Sequence, residues 1–397
     1  MLTDSERQRV LGYRLSGHHL SERLPPERML DAAGACAVQN TPPGSGALSL
    51  LARVDGLTPE MLHRALYEDR SMLEAWSMRA SPHLFPTSQA AIFGRCLQPD
   101  DRSLVEVVIG AAPLIDEIGL SMQQLYRLAE EAVTAELGGN EMPKTELAAL
   151  SARRIAPRLN DAQQEIWTQT AIEYDGMTKG EAMVRFALYV LGMSGVVCFA
   201  EHSSGRSPIA LTRQWLGYSV DEEVDCRELV RRYLRCYGPS TERYFAEWSG
   251  VGIEHATRLW SMAEGEMSEV TLDGRTLWLL DEQMNLFDEA RIPEGARLLP
   301  PHDPYLQQRD RSIIVPEPSR RQEMWKAAGS PGAVLIDGEV AGTWRPQKKG
   351  ATLRLELRPH HTLDDSEAEQ LEKEANLMAP FRNVAQVEVT LVPTPHQ

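Results

Sequence analysis

The sequence predicts an α+β protein made of three tandem winged helix-turn-helix units and a small C-terminal module of β-sheet and helix. Two observations carry this reading. Helices followed by a strand pair occur three times before residue 296, and from about Arg297 the composition changes to alternating strands and one acidic helix. The units share the order of their elements and not their residues, so the repetition is architectural. The boundaries fall at 1–105, 106–220, 221–296 and 297–397.

In the first unit, residues 7 to 38 read as two helices. "RQRVLGYRLSGHHL" places Val10, Leu11, Leu15 and Leu20 near helical spacing, and "PPERMLDAAGACAV" opens on a proline pair suited to a first turn. "SGALSLLARV" begins a third helix after Gly44 with Ser45 as the expected cap, and "TPEMLHRALYEDR" a fourth with Thr58 capping and Pro59 in the first turn. "MLEAWSMRASPHLFP" then turns aromatic and partly alternating, as a hairpin wing does. In the second unit "PKTELAALSARRI" and "TKGEAMVRFALYVLGMSG" precede the strand pair "VVCFAEHSSGRSPIALT". In the third, "DCRELVRRYLRCYG" and "PSTERYFAEWSGVGIEHATRLWSMAEG" precede "SEVTLDGRTLWLL", where Asp273-Gly274 marks a two-residue hairpin turn. In the C-terminal module, "GAVLIDGEVAGTWRP" and "TLRLELRPH" alternate like a small antiparallel sheet, and "DDSEAEQLEKEANLMAPF" is an amphipathic acidic helix.

At 397 residues the chain is too long for one compact core. Its 42% hydrophobic and 25% charged content is that of an ordinary soluble globular protein. There is no apolar run of membrane-spanning length and no apolar signal-peptide core at the start, so a cytoplasmic location, with the nucleoid, is expected. Cys36, Cys96, Cys198, Cys226 and Cys236 form no C-x-x-C pair and read as buried free thiols. The net charge of −16 argues against nonspecific coating of nucleic acid, yet leaves room for a local basic cleft.

Among chemistry-bearing residues, His18-His19 and His360-His361 lack partners at metal-ligand spacing and no H-E-x-x-H occurs, so neither metal nor cofactor is expected. "GSGALS" lacks the preceding strand and following Lys of a phosphate loop. In "PPHDPY", His302 and Asp303 resemble an acid–base pair, but adjacent residues in a proline-rich turn seldom aim at one atom, and turn closure by Asp303 is the better reading. Trp248, Trp260 and Trp278 sit in core patterns. Arg79 and His83 on the first wing, Arg153 and Arg154 on a helix, Arg206 and Arg213 flanking the second wing, and Arg275 in the third form a candidate discontinuous phosphate-binding set. Arg345, Lys348 and Lys349 of "WRPQKKG" extend it.

Four phrases, "SMRASPHLFP" (77–86), "YLRCYGPSTERYFAEWSGV" (233–251), "RLLPPHDPYLQQRDR" (297–311) and "VLIDGEVAGTWRP" (334–346), together with the opening "RVLGYRLSGHHL", resemble the AlkZ-type winged-helix DNA glycosylases across nearly the whole chain. That resemblance implies a C-shaped clamp around double-stranded DNA, monofunctional hydrolytic removal of alkylated purines, bulky and cross-linking adducts included, and a monomer without membrane association. It also implies a catalytic signature, Gln-x-Gln in one branch and Gln-x-Asp in the broader YcaQ branch. Here that position reads Gln39-Asn40-Thr41: Gln39 matches the first catalytic residue and Thr41 departs at the third.

A glutamine has no titratable proton and cannot act as an ordinary general base. An alkylated purine, however, already carries positive charge and leaves as a neutral base, while the sugar becomes oxocarbenium-like. What remains is to hold a water beneath the anomeric carbon and aim acceptor dipoles at the developing cation, which a carboxamide can do. Thr41 is shorter and β-branched, and reads as a supporting position. The alternative is a non-catalytic winged-helix DNA-binding protein, a regulator or damage binder. A protein–protein adaptor is a third reading, and helix-ending turn chemistry is the plain account of the Gln-Asn-Thr-Pro-Pro-Gly run.

Overall fold

The computed structural model describes residues 2–98, 112–171, 174, 176–201, 207–220 and 223–392. Two compact units are each assembled from segments distant in sequence. One comprises Met1–Arg64, Val230–Trp248 and Trp260–Gln397, the other Ala65–Leu229 and Ser249–Leu259.

In the first unit, helix Asp4–Gly17 starts at a capping box in which Thr3 and Glu6 satisfy each other's backbone N–H groups. Its apolar residues face two ways. Val10 and Tyr13 pack with Leu272, Leu279 and Phe287, whereas Leu11 and Leu15 pack with Leu299, Tyr305 and Leu335. Arg14, 1% exposed, occupies the same buried helix. Its guanidinium donates to the Gly238 and Pro239 carbonyls at 3.1 and 3.2 Å, to Gln308 Oε1 at 2.5 Å, and to both Asp310 oxygens at 2.8 and 2.7 Å. A buried cation is tolerated because nearly all its donors are used.

The third strand pair, Met267–Leu272 and Arg275–Leu280, is an antiparallel hairpin whose turn residues Asp273 and Gly274 both have positive φ (52° and 69°), as the Asp-Gly dipeptide predicts. Before it stand helices Arg227–Tyr237, Glu242–Ser249 and, in the other unit, Ile253–Ser261. The stretch Pro239–Gly265 holds the second and third of these, and the helix Glu242–Ser249 ends at Gly250, whose φ is 79°. Trp248 and Trp260 are buried, at 1% and 4% exposure.

The C-terminal sheet has five strands, in the order Gln386–Leu391, Thr352–Pro359, Glu339–Lys349, Gly332–Ile336, Ala296–Leu299. It departs from the expected antiparallel sheet at one edge, where Thr352–Pro359 pairs in parallel with Gln386–Leu391. Helix Asp365–Asn376 returns the chain to the starting end of the sheet, which is the crossover a parallel pair requires.

Asp303 does close its turn, accepting from Tyr305 N at 2.9 Å, and it also receives two parallel hydrogen bonds from Arg53, both at 2.8 Å. The two side chains are 0% and 2% exposed. Arg53 Nη1 donates further to the Ser49 carbonyl at 2.8 Å. This fork joins the helix Ser45–Leu51 region to the loop after strand Ala296–Leu299.

In the second unit the first hairpin pairs Met72–Trp76 with Pro82–Pro86, and the second pairs Val197–Phe199 with Pro208–Leu211. Helix Lys179–Met193 starts at a Thr178–Glu181 capping box and passes against the first hairpin. A side chain at Gly192 would meet the Trp76 ring at 2.6 Å. The cysteine reading needs correction. Cys96 and Cys226 form a disulfide across 130 residues, while Cys36, Cys198 and Cys236 are buried free thiols. Sequence spacing cannot reveal a pair so far apart.

His83 also departs from expectation. It is 2% exposed, with Nδ1 2.8 Å from the Ser81 carbonyl. Burial, assisted by the Arg79 cation, draws its pKa down to about 3, so it carries no charge for a phosphate at neutral pH.

Removing one member of the Arg53–Asp303 pair, as in Arg53→Met or Asp303→Asn, should destabilise the protein by about 3–5 kcal/mol, because the other charge is left buried and unmatched. The double variant Arg53→Met/Asp303→Leu should recover most of that loss, as read by chemical denaturation. For His83, the unfolded chain takes up a proton below a pH of roughly 6.5 that the folded protein refuses until about 3. Stability is therefore intact above that range and falls as pH drops through it. Between pH 7 and pH 5 the urea midpoint of wild type should fall more steeply than that of His83→Gln.

Candidate functional site

The Gln39-Asn40-Thr41 segment lies between two short elements of the first unit. Helix Met29–Gly34 ends, Ala37 takes a left-handed backbone (φ 56°), and Val38–Gln39 is extended. Thr41 and Pro42 are joined by a cis peptide, and helix Ser45–Leu51 follows. Ser45 is not the cap of that helix. Gly44, with φ 83°, takes the cap position and offers no side chain, and Asn40 performs the function from four residues upstream. Its Oδ1 accepts from Gly44 N at 2.9 Å and Gly46 N at 3.2 Å. Ser45 Oγ turns back to donate to the Gln39 carbonyl at 3.2 Å. The middle residue of the motif thus serves structure, and the backbone on either side of it is pinned.

Gln39 is 6% exposed and Asn40 7%, while Thr41 is half-buried and Pro42 and Pro43 are exposed. The segment runs from the interior to the surface, with the first carboxamide recessed. A neutral amide tolerates that position at far lower cost than a carboxylate. Nothing in the segment titrates near neutral pH, so its chemistry is confined to orienting a water or a polar group by hydrogen bonds.

A cation beside this loop escaped sequence reasoning. Arg382, at the end of the short helix Ala379–Arg382, is half-buried, and its Nη1 comes within 3.5 Å of the position a Gly44 Cβ would take. Burial pushes its pKa down from the usual arginine range. Lys348 Nζ donates to the Arg382 and Asn383 carbonyls at 3.0 and 3.4 Å, which brings one end of the "WRPQKKG" strand to the same helix. The signal for Arg382 was weak in sequence, because a single arginine 343 positions after Gln39 has no local pattern.

The other basic candidates are spread over the two units. In the first, Arg345 is half-buried and bonded to the Gly329 carbonyl at 2.6 Å, whereas Lys349 and Arg275 are exposed. Arg275 faces a shallow pocket lined by Thr241, Arg243, Tyr244 and Glu247, so Arg243 and Tyr244 join the set of surface groups beside the third hairpin. In the second unit, Arg153 and Arg213 are exposed, and Arg154 is engaged with Glu136 at 2.6 Å. Arg79 sits in the turn between strands Met72–Trp76 and Pro82–Pro86 with a left-handed backbone (φ 55°). Gly250 lies against it, and a Cβ there would come within 2.9 Å of the Arg79 N, Cα and Cγ atoms. Arg206 lies outside the described residues. His18 has no metal-ligand partner at sequence spacing, but the fold brings it to Cys36 and Cys236.

Comparison with curated proteins finds no significant match. Among solved structures, the chain is similar to the Streptomyces sahachiroi DNA glycosylase AlkZ, with a TM-score of 0.74 at 22% sequence identity, covering 99% of this chain and 100% of that one. At that identity the likeness concerns the fold. The family model described as DNA glycosylase AlkZ-like matches residues 32–381, which include the whole Gln39–Thr41 segment. The chain therefore belongs to the AlkZ-like DNA glycosylase family.

Proposed function

We propose that this protein hydrolyses the N-glycosidic bond of cationic N-alkylated purines, bulky or cross-linking adducts among them, in double-stranded DNA, as a monofunctional glycosylase of base excision repair. Three winged units within 1–296 and the C-terminal module form a clamp on the duplex. The protein works as a cytoplasmic monomer associated with the nucleoid, needing no cofactor for the hydrolysis. Arg79, Arg153, Arg154, Arg206, Arg213, Arg275, Arg345, Lys348 and Lys349 hold phosphates.

In the reaction, the bond from C1′ to the purine nitrogen breaks and its electron pair neutralises the charged base. A water oxygen bonds to C1′, and the surplus proton passes to solvent. Gln39 accepts a hydrogen bond from that water and turns its amide oxygen toward the oxocarbenium-like sugar, and Thr41 supplies a second hydrogen bond directly or through another water. A clamp that fits a groove can act on a bulky adduct without fully extruding the nucleotide. Family membership and one observation support this reading: the Gln39-Asn40-Thr41 turn is neutral throughout and pinned by Asn40 to two backbone N–H groups. A second reading, a DNA binder that has lost the chemistry, is favoured by the 6% exposure of Gln39 and by threonine in place of the second catalytic residue.

Purified wild type should release 7-methylguanine or 3-methyladenine from methylated duplex DNA. Gln39→Ala should lower the single-turnover rate by about 100-fold or more, with unchanged DNA affinity. No release by wild type across small and bulky adducts overturns the enzymatic reading. Thr41→Gln separates the two: excision created where wild type has none, with binding unchanged, marks the natural protein as a binder, whereas a measurable wild-type rate that this substitution raises marks it as a weakened enzyme.

A further inference from the structure

His18, Cys36 and Cys236 come from three separate segments and meet inside the first unit. His18 follows the last turn of helix Asp4–Gly17, Cys36 lies in the loop three residues before Gln39, and Cys236 is in the last turn of helix Arg227–Tyr237. All three are enclosed, at 0%, 4% and 1% exposure. One ligand atom from each lies within 4.8 Å of the others, and His18 Nδ1 is 3.6 Å from Cys36 Sγ. Zinc bonds of about 2.0–2.1 Å to nitrogen and 2.3 Å to sulfur in a tetrahedron place those two ligand atoms about 3.6 Å apart. His18 Nε2 has no hydrogen-bond partner among the described residues, so the ring's polar contact runs through Nδ1.

We propose that His18 Nδ1, Cys36 Sγ and Cys236 Sγ bind a zinc ion. Two thiolates and one imidazole are the donor set that selects zinc over hard cations. Binding displaces the thiol protons to solvent, and two thiolates balance the dication, so no net charge is buried. Cys236 Sγ also lies 3.4 Å from the Gly17 carbonyl and 3.6 Å from that of Ala35. Tyr237 Oη is 3.8 Å from Cys36 Sγ but donates to the Pro304 carbonyl at 2.8 Å. The fourth position therefore falls to a backbone carbonyl or a water. The ion is a structural clamp that fixes the strand leading into Gln39, and it takes no part in bond cleavage.

The test begins with the full-length protein, purified without chelator and dialysed against zinc. Native mass spectrometry and elemental analysis should give one zinc per chain, and cobalt(II) in its place should give a near-ultraviolet thiolate-to-cobalt charge-transfer band. Cys36→Ser and Cys236→Ser should each weaken that band and lower metal affinity by at least about 100-fold, a loss in the range of lost metal-site partners. Cys198→Ser and the double variant Cys96→Ser/Cys226→Ser should keep both metal and band. Wild type that stays metal-free in zinc and shows no cobalt charge transfer overturns the proposal, whether or not the variants fold. A disulfide between Cys36 and Cys236 in protein purified under argon overturns it too.

Discussion

The bidentate Arg53–Asp303 pair is the constraint on which the rest of the first unit depends. It lies just beyond the C-terminal end of helix Ser45–Leu51, whose N-terminal end is held by Asn40. The helix that follows the Gln39–Thr41 turn is thereby held at both ends, by an amide cap before it and an ion pair after it. The pair reaches across 250 residues to the loop following the first strand of the C-terminal sheet. The N-terminal helices are thus not a free-standing domain; their polar interior is completed by residues near the other end of the chain. Arg14 repeats the device, spending its donors on the Gly238–Pro239 backbone, Gln308 and Asp310. Such pairs add little net stability over apolar packing of the same volume, but breaking one leaves a costly orphan, so they select one arrangement of segments.

Features with local causes were legible in the sequence. Asp273-Gly274 forms the hairpin turn its dipeptide demands, Thr58 caps the helix that Pro59 opens, and the alternating C-terminal segments are strands. Several of the misreadings share a cause, a partner remote in sequence. The edge strand Gln386–Leu391 pairs in parallel because a helix carries the chain back, and alternation says nothing about strand direction. The Cys96–Cys226 bridge and the gathering of His18 with Cys36 and Cys236 arise only once distant segments meet. His83 reads as a candidate phosphate contact only from its place on a partly alternating hairpin. Four of the five residues of Pro82–Pro86 are in fact buried, so alternation carries no information there.

The motif itself was legible as a set of residue types, while its division of labour was not. Ser45 had the local signature of a cap, and Asn40 was the anonymous middle residue, yet Asn40 makes the capping hydrogen bonds. The difference lies in the backbone path. With Gly44 in the left-handed region, a side chain four residues upstream faces the first free N–H groups. Arg382 enters for a similar reason. It reaches the loop from the short helix Ala379–Arg382, and its Nη1 lies at ordinary contact distance, 3.5 Å, from where a Gly44 side chain would begin.

Gly250 has an implication for how this family varies. Its left-handed backbone excludes most residues, and its bare Cα forms the floor on which Arg79 rests, itself strained into the left-handed region. The two positions are locked to each other although 171 residues separate them. Among relatives, drift at one should be visible as a compensating change at the other, and a β-carbon at 250 should coincide with a hairpin turn of different length or handedness.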